Sequence, residues 1–401
     1  MSKKSFKKGS SFLEDHQEKS FTEEAAFGGF LKNREDDDIW ITVTPESFDV
    51  VGVPDAPIVA RLGGNEALPT PIHGYVGDDS GLADAMGEYG LVASYFDADD
   101  QQVYALPLRF TAIDSLFQQA GVGGSAFREN NAGAVAAEDR AAFITEALHR
   151  ENRTRRGVMN VLIRDLKMST VRSAKYQPLS ATGLIAALKE ALVEPIFNNG
   201  TITHEATEAI YSYGTEIDDE TIAVILDSKG IKTSEPVERS LRFVTSDTGN
   251  NAATVEPFIK IDGVTLPMGR GLKMAHSTGA SMGKWYDMLS RVSAILDEVP
   301  DNLSRLADIK ADCPNGLLAW MINEGGLCRT IVSKKNAQHA IDSVTGVTGL
   351  TAFDLYKIAA GLIQDSIDAN TTLAKKVNAY EGLARILSSN VAANDYNQSL
   401  E

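Results

Sequence analysis

The hydrophobic pattern of this 401-residue chain changes near residue 281. Before that point, short β-branched and aromatic runs such as Ile39-Trp40-Ile41-Thr42-Val43 alternate with turn residues, which is typical of strands. After it, apolar residues recur at helical spacing over long amphipathic stretches. We therefore predict an α+β fold, with a mixed antiparallel-sheet body over residues 36–280 and a helical C-terminal region over 281–401. Residues 1–35 are polar at the start and are predicted to form a flexible arm.

The same patterns place individual elements along the chain. Strands are predicted at 39–43, 103–110, 209–213, 222–226, 239–245 and 254–261, with a strand pair at about 158–176. Helices are predicted at 135–149, 180–193, 285–296, 302–309, 350–367 and 371–387. Ser281 is predicted to cap the N-terminus of the helix that follows it. Thr351, with Asp354 three residues later, is predicted to open a helix with a capping box.

Composition excludes several classes of protein. The chain is 43% hydrophobic and 23% charged, which is ordinary for a globular protein and unlike fibrous or wholly disordered chains. No apolar run approaches the roughly 20 residues that span a bilayer, and the basic N-terminus lacks the apolar stretch of a secretory signal. We therefore expect a cytoplasmic protein with no membrane partner. The two cysteines, Cys313 and Cys328, are too few for a disulfide framework.

One basic segment stands against an acidic chain. The formal net charge is −17, whose field repels nucleic acid. Residues 150–180 nevertheless carry eight cationic side chains against Glu151 and Asp165, a local charge of +6, which leaves −23 for the remainder. Paired basic strands with Tyr176 beside them would offer phosphate contacts and a base-stacking face for single-stranded nucleic acid. Two other interpretations stay open: a solvated face, or a patch that meets an acidic neighbour.

A glycine-rich segment, residues 268–284, precedes the helical region. It places Arg270 and Lys273 near backbone N–H groups that favour an anion. It is not a Walker A loop, because Trp285 stands where Ser or Thr would bind magnesium. The run Gly279-Ala-Ser281-Met-Gly283 fits the nucleophile-elbow pattern of serine hydrolases but lacks a preceding apolar strand.

Metal and cofactor signals are weak. The acidic loops, including Asp78 with Asp79, match no calcium or two-metal spacing. The segment His204-Glu205-Ala-Thr-Glu208 has Glu where a zinc protease needs its second His. We therefore expect no metal, no cofactor and no catalytic residues.

Three short motifs resemble a phage- and plasmid-like family of unknown function, domain-of-unknown-function family 932. They are the stretch from Leu162 to Ser180, which contains Arg164, Val171-Arg172-Ser173 and Tyr176-Gln-Pro-Leu179; the turn Ser246-Asp-Thr-Gly249; and the helix opening Thr351-Ala-Phe-Asp-Leu-Tyr356. The resemblance implies a mobile-element origin and an α+β fold. The family's Arg-x-Cys-x-Asn-Gly segment is not intact in this chain, and the family offers no activity to transfer.

The leading functional hypothesis is a non-enzymatic protein that binds single-stranded nucleic acid, in the manner of phage single-strand annealing oligomers. The alternative is a structural or interaction protein of a phage particle or host-takeover assembly. A third class, the hydrolase built on Ser281, has least support. The residues predicted to bind nucleic acid are Arg153, Arg155, Arg156, Arg164, Lys167, Arg172, Lys175 and Tyr176, with Arg270 and Lys273 as outer contacts.

A homo-oligomer is also predicted, from the helical region. Residues 351–367 are predicted to form a helix whose apolar stripe is wider than that of a helix with one face on the core and the other in solvent. The surplus must meet another helix, which is either the segment 371–387 of the same chain or a second copy.

Overall fold

The computed structural model describes residues 17–52, 91–97, 102–121, 137–150, 157–165, 167–214, 219–249, 252–368 and 371–400. Over these ranges the chain has a mixed α+β fold, with antiparallel sheets in the N-terminal part and helices in the C-terminal part. The predicted fold class is confirmed.

In the described ranges the strands are β1 (Lys19–Phe21), β2 (Ile39–Val43), β3 (Phe48–Gly52), β4 (Leu91–Asp97), β5 (Gln102–Pro107), β6 (Met159–Arg164), β7 (Lys167–Ser173), β8 (Val193–Ile202), β9 (Thr207–Gly214), β10 (Glu238–Thr245), β11 (Ala253–Ile261), β12 (Val264–Pro267) and β13 (Leu272–Met274). The helices are α1 (Glu24–Asp37), α2 (Phe110–Gln119), α3 (Ala137–His149), α4 (Ala181–Ala191), α5 (Asp219–Ser228), α6 (Met282–Leu289), α7 (Val292–Asp308), α8 (Pro314–Glu324), α9 (Leu327–Thr330), α10 (Lys334–Val344), α11 (Ala352–Asp365) and α12 (Leu373–Arg385).

Two three-stranded antiparallel sheets lie in the N-terminal part, in the orders β2-β6-β7 and β3-β4-β5. Helices α2 and α3 pack on them around a core that includes Leu116, Ile144 and Val161. Because side chains alternate along a strand, Val161 and Ile163 of β6 point into this core, whereas Asn160, Leu162 and Arg164 belong to the opposite face.

A seven-stranded antiparallel sheet in the order β1-β8-β9-β10-β11-β12, with β13 also paired to β11, forms the centre. Helices α1, α4 and α6 cover one face, where Phe243 and Trp285 pack edge to face with ring centroids 6.0 Å apart. The C-terminal helices pack against β11 and β12 in the largest apolar core, which includes Phe258, Leu303 and Tyr356.

The local capping predictions are confirmed. Ser281 begins α6, and its Oγ accepts a hydrogen bond from the Lys284 backbone N–H. Thr351 and Asp354 form a complete capping box at α11. Ser281 therefore serves as a helix cap, as its position before an amphipathic run indicates.

Two predictions about elements before residue 281 are wrong. Residues 17–35 are not an arm, because β1 pairs with β8 and α1 buries Phe27 and Leu31. Residues 222–226 belong to helix α5 and not to a strand. Ile222 and Leu226 are buried one helical turn apart while Val224 between them is 63% exposed, a pattern that strand alternation cannot produce.

Candidate nucleic-acid interface

The predicted basic strand pair exists, with β6 and β7 antiparallel and Asn160 opposite Arg172. Leu162, Arg164 and Thr170 of its outward face are buried, because this face packs on the turns at one end of the seven-stranded sheet. Thr170 Oγ1 donates to the Thr248 carbonyl oxygen at 3.4 Å in this contact. The face proposed for nucleic acid is thus a joint between two sheets of the same chain.

Arg164 is the centre of this joint and is 3% exposed. Its guanidinium donates to both carboxylate oxygens of Asp38, to Asp247 Oδ2 at 2.8 Å and to the His204 carbonyl oxygen at 2.9 Å. Arg34 donates to the same Asp247 oxygen at 2.8 Å. The prediction that Arg164 contacts phosphate is therefore wrong for this fold, because its donors are used by carboxylates within the chain.

The charged groups around Arg164 stabilise one another in their ionised forms. Burial alone would raise the pKa of Asp247, but Arg164 and Arg34 outweigh burial and lower it to about 2. Burial likewise opposes the charged form of Arg164, but Asp38 and Asp247 outweigh it, so the pKa of Arg164 lies above its ordinary value. The four groups carry two positive and two negative charges and form a neutral unit. We call this unit the joint cluster: Arg34, Asp38, Arg164 and Asp247.

Tyr176 is also enclosed. It is 7% exposed, and the rings of Trp40 and His276 stack near its own, with centroids 5.6 Å and 5.4 Å away and interplanar angles of 26° and 13°, while the Arg172 Cζ lies 6.0 Å from its centroid. Its hydroxyl donates to the Asp247 carbonyl oxygen at 2.8 Å. The prediction that a base stacks on Tyr176 is wrong here, because its ring is buried against Trp40, His276 and Arg172.

The other predicted residues in this segment differ in access. Arg172 is partly buried, and a Cβ placed on Gly249 would lie 2.7 Å from its Cζ, so the left-handed turn at Gly249 must stay free of a side chain. Lys167 is partly exposed at the start of β7 and already has an interaction with the protein. Lys175 is exposed in the turn after β7. Arg153, Arg155 and Arg156 lie outside the described residues.

The two outer contacts, Arg270 and Lys273, lie together at a cleft of about 290 Å³ between the β11–β13 end of the sheet and α12. Arg385, which sequence reasoning did not select, lines the same cleft. Lys273 pairs with Glu381 at 3.0 Å. Arg270 and Arg385 are exposed and have no ion pair or side-chain hydrogen bond within the part of the chain that the structure describes.

The floor of this cleft is a carboxylate that is paired with an arginine of the neighbouring strand. Glu256 is 3% exposed, and its Oε2 accepts from Nε and Nη2 of Arg242 at 3.0 Å and 2.6 Å. Burial raises the pKa of Glu256, and Arg242 opposes that rise. The guanidinium of Arg242 also lies 4.6 Å and 5.1 Å from the ring centroids of Phe258 and Tyr380. Arg242 also lies 3.9 Å from Glu208, and Lys273 interacts with Glu256, so among the cations at the mouth Arg270 and Arg385 are the two with no carboxylate partner in the described residues.

Gly271 shapes the cleft. A Cβ at this position would lie 2.5 Å from Glu256 Cγ and 2.5 Å from the Val255 carbonyl oxygen. Only glycine lets the segment between β12 and β13 pass this close to β11. The same close approach brings Arg270 and Lys273 to the cleft, because Arg270 immediately precedes Gly271 and Lys273 follows it by two residues.

We refer to Arg270, Lys273 and Arg385 as the cationic cleft. Sequence alone could not connect Arg385 with the other two, because it lies on a helix more than a hundred residues away along the chain. The glycine-rich composition of residues 268–284 was the one available signal, and it indicated the loop that lines this cleft.

Other kinds of site find little support in the described residues. No group of three or more His, Cys, Asp or Glu side chains there is placed to hold a metal ion. None of the helices in those ranges is both long and apolar enough to cross a membrane. Cys313 and Cys328 are free thiols of intermediate exposure.

Comparison with known proteins found no matching family model, no similar curated protein and no similar solved structure. The resemblance of the three motifs to the phage family stays a prediction.

Proposed function

We propose that this protein is a non-enzymatic binding protein for single-stranded nucleic acid, and that the cationic cleft contacts its phosphates. The observation that carries the proposal is that Arg270 and Arg385, which have no ion-pair partner among the described residues, lie at one cleft whose buried carboxylate, Glu256, is paired with Arg242. In a chain with a net charge of −17, uncompensated cations gathered at one concave site are unusual.

Arginine suits this role because its planar guanidinium donates two parallel hydrogen bonds to a phosphate. Lys273 adds a third positive charge, partly screened by Glu381. A small ligand with one phosphate would need only one such fork. Two guanidinium groups at an open cleft suit a nucleic-acid backbone, in which phosphates recur at regular intervals.

Further exposed charge lies close to the cleft. The segment after β13 returns to the turn after β7, where His276 Nδ1 lies 3.3 Å from the Gln177 carbonyl oxygen. Lys175 is two residues from that contact and Lys273 is three. A strand of nucleic acid that leaves the cleft along β13 therefore meets Lys175 next.

The test is fluorescence anisotropy with a labelled oligomer of about 20 deoxythymidines, at about 50 mM and about 200 mM salt. The double variant Arg270→Glu/Arg385→Glu should bind on the order of tenfold more weakly. The slope of log affinity against log salt should fall by about 1.4, since each lost phosphate contact on a single strand contributes about 0.7.

The matched control reverses two exposed lysines elsewhere, Lys232 and Lys335, with the same change in net charge. If the cleft is the site, this control keeps most of the affinity and the slope. Equal losses in both double variants would mean that only total charge matters. Unchanged binding in the cleft variant would remove the cleft from the function.

A second candidate, an interaction protein of a phage assembly, is favoured by one observation. Val264, Leu350, Ile358 and Leu362 are partly exposed apolar residues around a shallow groove of about 520 Å³ beside α11. The rest of the predicted stripe, including Phe353 and Tyr356, is buried within the chain. Self-association at this groove stays a prediction, as do a phage origin and a place in the host cytoplasm. Sedimentation of the free protein at the same two salt concentrations tests it.

A further inference from the structure

The stack of three rings in the joint has one accessible member. His276 and Tyr176 are 8% and 7% exposed, whereas Trp40 has intermediate exposure. Trp40 lies on β2, the strand at the edge of its three-stranded sheet. Ile39 and Ile41 turn toward the core of that sheet, so Trp40 belongs to the opposite face, where Tyr176 packs against it.

The indole N–H of Trp40 also has no acceptor among the described residues, and it is not among the buried polar atoms that lack a partner. It is therefore open to solvent. Trp285, in contrast, is fully buried, and its N–H donates to the Leu184 carbonyl oxygen at 3.0 Å. A tryptophan whose ring packs against another aromatic ring and whose N–H is exposed to water has the character of a recognition residue.

We propose that Trp40, and not Tyr176, is the base-stacking residue of the nucleic-acid site. This inference rests on the proposed function and names the nucleobase as the group that the site recognises besides phosphate. Tyr176 and His276 act as positioning residues: they hold the indole plane, so little rotamer freedom is lost when a base stacks on it.

Charge and position agree with this assignment. Lys175 immediately precedes Tyr176, whose ring contacts Trp40, so an exposed cation lies beside the stack. From Trp40, contacts continue through Tyr176 and His276 to the segment that carries Lys273. Aromatic and cationic contacts thus follow one another along the molecule, which is the usual order in proteins that bind single strands.

The experiment compares two probes of equal phosphate number, an oligomer of about 20 deoxythymidines and an abasic oligomer of the same length. Trp40→Leu should weaken binding of the thymidine oligomer on the order of tenfold and leave the abasic oligomer unchanged. Trp40→Phe, which keeps an aromatic ring, should recover most of the affinity. Trp320→Phe, a partly buried tryptophan on α8, is the control.

Fluorescence gives a second readout. Stacking of a base should quench part of the tryptophan emission of the native protein and of Trp320→Phe, and this quench should be absent in Trp40→Phe. Equal weakening of both probes in Trp40→Leu, or no weakening of either, would overturn the assignment. If the Arg270→Glu/Arg385→Glu variant loses binding while Trp40 variants do not, this inference fails and the proposed function stands. If the native protein binds neither probe, both fail.

Discussion

Arg164 keeps its charge in a site that water does not reach. Its guanidinium donates four hydrogen bonds, to Asp38, Asp247 and the His204 carbonyl oxygen. A buried ion pair of this kind often adds little net stability compared with apolar residues of the same volume. Removal of one partner is costly, because it leaves the opposite charge buried and unpaired. The joint cluster is therefore expected to tolerate no single substitution well.

Arg164→Met should lower the free energy of unfolding by about 3–5 kcal/mol, because Asp38 and Asp247 then share only Arg34. Arg150→Met is the matched control. Arg150 pairs with Glu146 one helical turn away in an exposed position, where such pairs contribute about 0.5 kcal/mol or less. Urea unfolding followed by circular dichroism measures both. Similar small losses in the two variants would show that the joint cluster is not a stabilising centre.

The sequence could predict features whose causes are local. Ser180, Ser281 and Thr351 cap helices, and each cap depends on residues within three positions. It could not predict that Arg164 is buried, since Asp38 and Asp247 lie 126 and 83 residues away along the chain. A run of basic residues in a sequence shows that a segment is charged. It does not show which of those side chains will face an acidic partner in the folded chain.

At the scale of elements, strand and helix type followed from periodicity wherever a run was long or alternated clearly. β2, β10 and β11 are confirmed, as are α3, α4, α11 and α12. β8 escaped prediction because Pro195 and two register shifts interrupt it. The predicted break between 296 and 302 also fails, since α7 continues through Pro300. At Pro195 and Pro300, tertiary packing outweighed the tendency of proline to interrupt a strand or a helix.

Glycines at helix crossings provide a test at this scale. A Cβ at Gly382 of α12 would lie 2.1 Å from the Gly325 carbonyl oxygen, so the two segments can approach only without a side chain there. Gly382→Ala should therefore lower the free energy of unfolding by about 1–3 kcal/mol or more. Gly361 of α11 has no atom within 4 Å of such a Cβ. Gly361→Ala should raise it by about 0.5–1 kcal/mol through helix propensity. Thermal unfolding of both variants measures these changes. A Gly382→Ala variant that is more stable than the native protein would contradict the close approach of Gly382 to Gly325.

At the scale of the whole molecule, one polar joint connects the N-terminal sheets to the central sheet. It combines the joint cluster with the ring stack of Trp40, Tyr176 and His276. His276 Nε2 lies 3.1 Å from Thr245 Oγ1, and its Nδ1 faces the Gln177 carbonyl oxygen. The neutral ring satisfies both contacts, with Nδ1–H as the donor to the carbonyl. Burial lowers the pKa of His276, with Asp247 and the Gln177 carbonyl opposing and Arg172 assisting.

These shifts predict how acid acts on the fold. A histidine whose pKa is lower in the folded than in the unfolded state contributes stability that is present above about pH 6.5 and is lost as pH falls. Asp247 behaves in the same direction at lower pH: its contribution is complete above about pH 4 and is lost as pH falls toward its folded pKa of about 2. Acid should therefore weaken the joint in two successive steps.

Asp247→Asn isolates the second step. At pH 7 the variant should be less stable than the native protein by about 2 kcal/mol or more, because Arg34 and Arg164 lose the carboxylate they share. The difference should shrink as pH falls below about 4, because Asp247 of the unfolded chain is then protonated while Asp247 of the folded chain stays charged until about pH 2. Asp287→Asn, at an exposed position on α6, is the control and should change stability little at any pH. Urea unfolding at intervals from about pH 7 to about pH 3 measures the difference. A difference in unfolding free energy between the native protein and Asp247→Asn that stays constant over that range would mean that Asp247 acts in the joint through shape and hydrogen bonding and not through its charge.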